Sequence, residues 1–290
     1  MDNSALELLE QSTLETGEQL KVYRLITPAE KAVPERVKRY IMASLGYDNY
    51  RQYINDQAYW RIYYRSAFDG NGAIDHLYLA EVDGNFAARV WFAYSRRTHF
   101  GNFGNVYTEP EYRQRGLMNV LMKHCMAGFQ ASDARMLCCS SGNKFAVKSY
   151  LKSGFHLVYG GETGPLCLLK KEYGSHFFDI VKEYYSDKTI VKVRPGDIDD
   201  QYDCDKVLTK LPAMRQMPPE PAPEGAPFVT EFRIALQESI NGNGKVMVAE
   251  NVKGAIVGYS WQLKLYGRTV THTVMHPDCR EQKDLLLDFD

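Results

Sequence analysis

A basic turn that carries a glycine, Arg113–Met118, constrains the fold of this chain more than any other segment. The run Asn105–Thr108 before it is typical of a strand. After it, apolar residues recur at the i, i+3, i+4 spacing of an amphipathic helix, at Leu117, Val120, Leu121, Met122 and Met126. A strand that turns into a helix presents free backbone N–H groups at the helix N-terminus, where phosphate groups bind. Gly116 lets the backbone come close to a ligand, and Arg113 and Arg115 add positive charge. The turn therefore predicts an anion site, the alternative being an ordinary strand-to-helix turn.

A second informative segment, Asn143–Phe155, has the pattern of a short helix that follows a buried strand. The apolar run Met136–Ser140 before it is bounded by turn residues, which predicts a strand. Asn143 is a favourable N-cap, and Gly154 is favourable just beyond a helix C-terminus. We therefore expect a strand, a turn and a helix in that order.

Together the two segments resemble the two signatures of the GNAT acyltransferase superfamily. The first signature is Gln/Arg-x-x-Gly-x-Gly/Ala, which Arg113 and Gly116 match and from which Met118 departs. The second is Asn-x-x-Ala-x-x-x-Tyr-x-x-x-Gly-Phe, matched at Asn143, Ala146, Tyr150, Gly154 and Phe155. Two motifs in the right order are more specific than either alone, and the resemblance covers roughly residues 20 to 171.

The resemblance implies an acyl-CoA-dependent N-acyltransferase that uses acetyl-CoA as cosubstrate. In such enzymes the strand before the turn binds the pantetheine arm, and the turn amides hold the pyrophosphate. The residues expected at the cofactor are Val106, Tyr107, Thr108, Arg113, Gln114, Arg115, Gly116, Leu117, Met118 and Asn143. The resemblance also implies that Tyr150 is the general acid to the coenzyme A thiolate, the alternative being a helix residue packed on the sheet.

The general base is open among three residues expected near the acceptor, His99, Tyr107 and Glu109. Tyr107 and Glu109 are two apart on a strand and share a face. Glu109 is the residue predicted as catalytic, and its alternative is a solvated strand end before Pro110. Histidine is a common proton-transfer group, but His99 has the setting of a loop residue.

The other elements of the first half predict an α/β fold, with a mixed sheet flanked by helices as in the GNAT fold. The pair Asp83-Gly84 is a strong hairpin signal. The predicted strands are Gln19–Leu25, Leu77–Val82, Phe86–Tyr94, His156–Tyr159 and Pro165–Leu169, and the predicted helices are Glu35–Leu45 and Tyr50–Arg65.

Two domains are expected, a GNAT catalytic domain at residues 1–172 and a smaller α/β domain at residues 173–290. The segment 211–227 contains six prolines and predicts an irregular loop. A weak internal repeat relates Leu79–Glu81 to Val248–Glu250 and Pro110–Arg113 to Pro277–Arg280, which sets Lys283 opposite Gly116. We favour a degenerate, truncated GNAT copy over a chance likeness, and expect it to shape the acceptor cleft or a homodimer contact.

Bulk properties set limits on the class of partner. The net charge of −1 gives no global field for nucleic acid or an anionic membrane. Neither a signal peptide nor an apolar run of about 20 residues is visible. The six cysteines form no C-x-x-C pair and the seven histidines are scattered, so we expect reduced thiols, a cytoplasmic protein and no metal.

The acceptor is expected to be a small molecule. The stretch Tyr40–Tyr64 is rich in aromatic residues and borders the acceptor cleft in the GNAT layout. Aromatic walls suit amines held by cation–π contact, although core packing is the alternative. The expected function is transfer of an acetyl group from acetyl-CoA to a primary amine by direct attack in a ternary complex. A non-catalytic acyl-CoA-binding regulatory module and arginine-mediated nucleic-acid binding are the alternatives.

Overall fold

The computed structural model divides into two compact units, residues 1–170 and 171–290. The residues it describes are 5–44, 64, 73–158, 161–187, 189–204, 231–265 and 267–287. The predicted helix Tyr50–Arg65 (apart from Tyr64), most of the aromatic stretch around it and the proline-rich segment lie outside the described residues.

The first unit is built on an eight-stranded mixed sheet. Its strands are β1 (Leu6–Thr13), β2 (Gln19–Thr27), β3 (Ile74–Val82), β4 (Asn85–Tyr94), β5 (Phe100–Thr108), β6 (Met136–Ser141), β7 (His156–Leu157) and β8 (Gly164–Leu169). The α-helices with described bounds are α1 (Glu35–Ser44), α2 (Leu117–Ala131) and α3 (Lys144–Lys152), and a 3₁₀ turn spans Pro110–Tyr112.

The strand order is β1-β2-β3-β4-β5-β6-β8-β7. Among the described strands, β5 and β6 are the only parallel pair. The β3–β4 hairpin turns at Asp83 and Gly84, whose φ angles are 46° and 86°. Positive φ at both positions is the geometry that this residue pair favours, so the predicted hairpin is present.

Helices cover both faces of the sheet. On one face, Phe129 of α2 packs edge-on against Phe92 of β4, with ring centroids 6.3 Å apart. On the other face, Tyr40 of α1 packs against Phe86 of β4 at 5.4 Å. The predicted α/β fold, a mixed sheet flanked by helices, is therefore confirmed.

The strand β1 has no counterpart among the strands predicted from the sequence. It is an edge strand whose residues do not alternate cleanly between buried and exposed, and its Leu8 is 49 % exposed. Its register on β2 is supported by an ion pair between Glu7 and Arg24, at 2.7 Å. Such a strand is specified by its neighbours rather than by an apolar period, which explains the omission.

The second unit contains a four-stranded antiparallel sheet in the order β12-β11-β10-β9. These strands are β9 (Ile190–Pro195), β10 (Gly244–Asn251), β11 (Ile256–Leu265) and β12 (Arg268–Met275). The α-helices with described bounds are α4 (Phe177–Tyr184) and α5 (Glu231–Ile240), and described 3₁₀ turns span Lys171–Tyr173, Ile198–Asp200 and Pro277–Leu286.

All six cysteines are buried free thiols. Within the described ranges, no helix combines the length and the apolar character that crossing a membrane requires. In the same ranges, no cluster of three or more His, Cys, Asp or Glu side chains is placed to hold a metal ion.

Candidate functional site

The candidate site begins where β5 and β6 stop pairing. Their parallel register runs only from Phe100↔Met136 to Asn102↔Cys138. Farther along, β5 carries a bulge against β4, between the pairs Trp91↔Gly104 and Arg89↔Tyr107, and Asn105 within it has a φ of 49°. A bulge bends its strand and increases the local twist, which favours separation of β5 from β6.

A cleft of about 340 Å³ opens at the C-terminal end of β5. It brings together β5, the basic turn and the face of α3. Its lining residues are Val106, Tyr107, Thr108, Arg113, Met118, Asn143, Ala146, Ser149 and Tyr150. Two motifs that are well separated in the sequence therefore meet at one surface.

The basic turn has the backbone conformation of an anion cradle. Gln114 and Gly116 have positive φ angles of 64° and 76°, and Gly116 is the left-handed N-cap of α2. No side chain caps this helix, so its first N–H groups point outward from the turn. A Cβ added to Gly116 would meet nothing within 4 Å, so the space in front of the glycine is open. Such left-handed turns at helix N-termini bind anions.

The two arginines of the turn have different roles in the structure. Arg113 is exposed, lines the cleft and donates from Nε to the Thr108 carbonyl at 3.1 Å. Arg115 forms an ion pair with Glu18 and donates from Nη2 to the Glu111 carbonyl at 2.7 Å. Arg113 is therefore the turn arginine placed at the cleft, whereas Arg115 fastens the turn to the protein.

Asn143 positions the second motif. Its Oδ1 accepts hydrogen bonds from the backbone N–H groups of Phe145 (2.9 Å) and Ala146 (3.4 Å), and so caps α3. The cap aims the first turn of α3 at the cleft. Ala146 and Ser149 follow at helical spacing on the same face as Tyr150, and the structure adds both to the residues predicted there.

Tyr150 is at once a packed residue and a cleft residue. It is 8 % exposed, and its ring lies edge-on to Phe103 at 5.1 Å between centroids. Burial raises the pKa of the Tyr150 phenol, and the nearby Cys139 raises it further. Tyr150 therefore keeps its proton at neutral pH and faces the cleft as a hydrogen-bond donor.

Tyr107 and Glu109 form a hydrogen-bonded pair at the end of β5. Tyr107 Oη donates to Glu109 Oε2 at 3.0 Å. Burial raises the pKa of Tyr107, and the hydrogen bond to Glu109 raises it further. Since Tyr107 stays neutral, the carboxylate of Glu109 is the better proton acceptor of the two.

His99 lies at the opposite end of β5. Its Nδ1 is 3.1 Å from the Asp133 carbonyl, and its ring stacks on Tyr94. Eight residues of extended strand, roughly 26 Å, separate it from Tyr107. His99 is therefore too remote to act as a base at this cleft.

Five predicted site residues do not line the cleft volume itself. They are Glu109, Gln114, Arg115, Gly116 and Leu117. Leu117 is buried in the core, whereas Gln114 and Gly116 are exposed on the turn beside the cleft. Of the turn residues, Arg113 and Met118 line the cleft. The other turn residues lie beside the cleft or in the core.

Comparison with protein families matches residues 40–155 to the acetyltransferase (GNAT) family. This part of the chain belongs to the GNAT acetyltransferase family. The matched span contains β3 to β6, the basic turn, α2 and α3, and hence every residue that lines the cleft. A search of curated proteins finds no match to the chain.

Solved structures of several acetyltransferases resemble parts of this chain. Nourseothricin acetyltransferase is 21 % identical to this chain, with a TM-score of 0.28. The match covers 33 % of this chain and 65 % of the nourseothricin acetyltransferase chain, so this chain spans just under two thirds of that protein's length. The catalytic domain of the Tetrahymena GCN5 histone acetyltransferase, in complex with coenzyme A, is 16 % identical, with 52 % and 94 % covered and a TM-score of 0.37. PaiA N-acetyltransferase from Thermoplasma acidophilum, also with coenzyme A, is 10 % identical, with 51 % and 99 % covered and a TM-score of 0.35. These TM-scores are low, so the family assignment rests on the sequence match.

Proposed function

We propose that the first unit transfers an acetyl group from acetyl-CoA to a primary amine of a small-molecule acceptor, by direct attack in a ternary complex. The observation that supports this most is the cleft at which β5, the basic turn and α3 meet. Both GNAT motifs contribute to its wall, and the turn beside it has the conformation of an anion cradle.

Acetyl-CoA would bind along the edge of β5 that β6 leaves unpaired. The backbone of Val106, Tyr107 and Thr108 offers strand-like hydrogen bonds to the amides of the pantetheine arm. The pyrophosphate would lie on the amides of 114–118, with Arg113 beside it. An anion at a helix N-terminus is stabilised by about 0.3–1 kcal/mol. Asn143 would border the pantetheine from the other wall.

The chemistry is attack of a neutral amine on the thioester carbonyl. The new C–N bond forms as the C–S bond breaks, the ammonium proton passes to Glu109, and coenzyme A leaves as the thiolate. A thiol has an ordinary pKa of about 8.5, below that of a phenol at about 10. Because burial raises the pKa of Tyr150 further, Tyr150 would stabilise the departing sulfur mainly by donating a hydrogen bond to it.

The remaining parts of the proposal concern organisation and partners. We infer a catalytic domain at residues 1–172 and a degenerate GNAT-like copy at residues 173–290. The buried free thiols favour a reducing compartment such as the cytoplasm. The near-zero net charge favours neither a nucleic acid nor a membrane as partner, and a homodimer contact through the second unit is a further proposal.

The test is titration calorimetry of acetyl-CoA into the wild-type chain and into Gly116→Asp and Gly116→Asn. Both replacements tolerate a left-handed backbone and have nearly equal size, so they differ mainly in charge. Like charges about 4 Å apart repel by about 1–4 kcal/mol between bulk water and a protein surface. We expect one site in the wild type, a modest loss in Gly116→Asn, and a loss of about tenfold more in Gly116→Asp.

Other outcomes of this titration would contradict the proposal. A folded wild-type chain that does not bind acetyl-CoA rules out acetyl transfer. Equal affinities of the Asn and Asp variants would place the pyrophosphate away from the turn. Two binding sites would contradict the degenerate second copy.

A further inference from the structure

Arg89, in the middle of β4, is a buried cation that the proposed chemistry does not use. It is 2 % exposed and is among the largest fully buried side chains of the described residues. Within that part of the chain, its Nε and Nη1 have no hydrogen-bond partner. Burial of a charged group without hydrogen bonds is strongly unfavourable, so this arrangement calls for a functional explanation.

Other arginines of the structure show the contrast. Arg24 pairs with Glu7, Arg36 with Glu81 and Arg194 with Glu250. Arg89 instead lies over two aromatic rings, with Cζ 4.8 Å from the centroid of Tyr107 and 6.0 Å from that of Tyr40. Ring faces attract the guanidinium but accept none of its directional hydrogen bonds, and the Tyr40 hydroxyl is the polar group that interacts with it.

Two other buried polar atoms lie near Arg89, and each is close to a second polar side chain. They are the Tyr40 hydroxyl, which interacts with Arg89, and the Asn105 side-chain nitrogen, which interacts with Tyr64; neither atom has a hydrogen bond of standard geometry within the described residues. Burial raises the pKa of Tyr40 to about 12, against the opposing effect of Arg89, so the phenol keeps its proton at neutral pH. The carboxylates of Glu109 and Asp75 lie within electrostatic range of Tyr40 and Tyr64 on this face of the sheet. The N–H groups and the positive charge of Arg89, with the Tyr40 hydroxyl beside them, are the groups here that complement an oxygen anion. The planar fork of a guanidinium matches the two oxygens of a carboxylate.

This donor group lies next to the candidate reaction centre. Arg89 and Tyr107 are directly paired across β4 and β5, which places their backbones about 5 Å apart. Tyr107 lines the cleft and holds Glu109 at 3.0 Å. One small molecule can therefore present an amine to Glu109 and an anionic group to Arg89.

We propose that Arg89, Tyr40 and Asn105 form a subsite for a carboxylate of the acceptor, so that the acceptor is an amine that carries a carboxylate, such as a free amino acid. This inference rests on the proposed acetyl transfer and specifies its substrate class. The same buried charge disfavours polyamines and other acceptors that carry only positive charge.

The test compares matched acceptors on the full chain: an amino acid, its primary amide and the corresponding decarboxylated amine, over a panel of side chains. The variant is Arg89→Met, which keeps the volume and removes the charge, and the control is Arg39→Met at an exposed position. A charge-assisted hydrogen bond corresponds to about a 10- to 100-fold effect. We expect kcat/KM to favour the acids by that factor in the wild type and in Arg39→Met, and the preference to vanish in Arg89→Met.

Thermal shift without acetyl-CoA separates this inference from the proposed function. Amino acids are expected to raise the melting temperature of the wild type and not that of Arg89→Met. If Arg89→Met does not fold, Arg89→Lys replaces it, and we expect a preference reduced to an intermediate value. A preference that persists in Arg89→Met overturns the subsite, and so does a wild type that shows neither a thermal shift nor a preference for the acids. Absence of acetyl-CoA binding overturns the proposed function, whereas a thermal shift that depends on Arg89 would still support the subsite.

Discussion

The strands β3 and β4 of the first unit and β10 and β11 of the second pair in the same irregular way. The β3–β4 register shifts between Ala80 and Glu81, and the β10–β11 register shifts between Ala249 and Glu250. In each unit the glutamate of the shift is also paired with a lysine on the neighbouring strand, Lys21 or Lys192. These are the positions that the weak sequence repeat relates.

The likeness continues to the end of the following strand. Glu109 after β5 has φ and ψ of −54° and 137°, and His276 after β12 has −53° and 134°. The backbone N–H of Glu109 donates to the Ala87 carbonyl at 2.9 Å, and that of His276 to the Val257 carbonyl at 2.7 Å. This agreement supports the degenerate copy, which stays a proposal.

The two units differ in what produces the cleft. β5 carries a bulge against β4, whereas β11 and β12 pair without interruption from Gly258↔Met275 to Leu265↔Arg268. After the 3₁₀ turn, the first unit passes through left-handed Gly116 into α2, whereas the 3₁₀ stretch of the second unit continues to Leu286, with Lys283 opposite the glycine. The two units therefore share the strand pairing and the turn after the last strand, but in the described residues the second unit has neither the bulge nor the left-handed glycine that border the cleft of the first unit.

The largest difference between the two units is expected at Glu109 and His276, the aligned residues that follow β5 and β12. Glu109→Gln removes the proposed base, so kcat should fall about 10²- to 10⁴-fold while acetyl-CoA affinity is retained. The matched variant His276→Asn, which keeps an acceptor for the cap, should leave kcat unchanged. Steady-state kinetics with calorimetry checks both, and equal losses in the two variants would mean that the second unit takes part in the chemistry.

A smaller effect concerns two buried histidines, one in each sheet. Burial lowers the pKa of His76 from 6.5 to about 3. Its folded form therefore stays neutral while the unfolded chain binds a proton below about pH 6.5, so the free energy of unfolding should fall by up to about 1.4 kcal/mol per pH unit toward pH 3. His76→Gln should flatten this acid slope in urea unfolding, which is measured beside the wild type and His272→Gln, the variant that removes the buried histidine of the second sheet. An unchanged slope in His76→Gln would assign the acid sensitivity to other groups.

The smallest effect separates the aligned arginines Arg113 and Arg280. Arg113→Met removes an exposed charge beside the cleft and should weaken acetyl-CoA binding by about 2- to 10-fold. Arg280→Met, at the aligned position of the second unit, should leave the dissociation constant unchanged. Calorimetry of the two variants at equal ionic strength decides the point, and comparable losses would contradict a cleft confined to the first unit.

Local patterns carried most of the prediction from sequence. Asp83-Gly84 determined the hairpin, and the signals at Gly116, Asn143 and Tyr150 located the turn and the helix that border the cleft. These features depend on residues within a few positions of each other, so a single sequence reveals them.

The features that the sequence did not reveal depend on distant partners. Which arginine of the turn stays at the cleft is decided by Glu18, 97 residues before Arg115. The burial of Arg89 follows from the rings of Tyr40 and Tyr107 on two other elements, whereas an arginine in a strand is usually taken as exposed.

The ion pair between Glu18 and Arg115 also shows that the boundary of the family match is not the boundary of the folding unit. The match begins at residue 40, yet the turn beside the cleft is fastened to the connection between β1 and β2. A fragment cut at residue 40 would lose both strands and leave the whole edge of β3 unpaired. An unpaired strand edge of that length can pair with the edges of other chains. A fragment whose boundaries follow the family match is therefore expected to aggregate more than the whole unit.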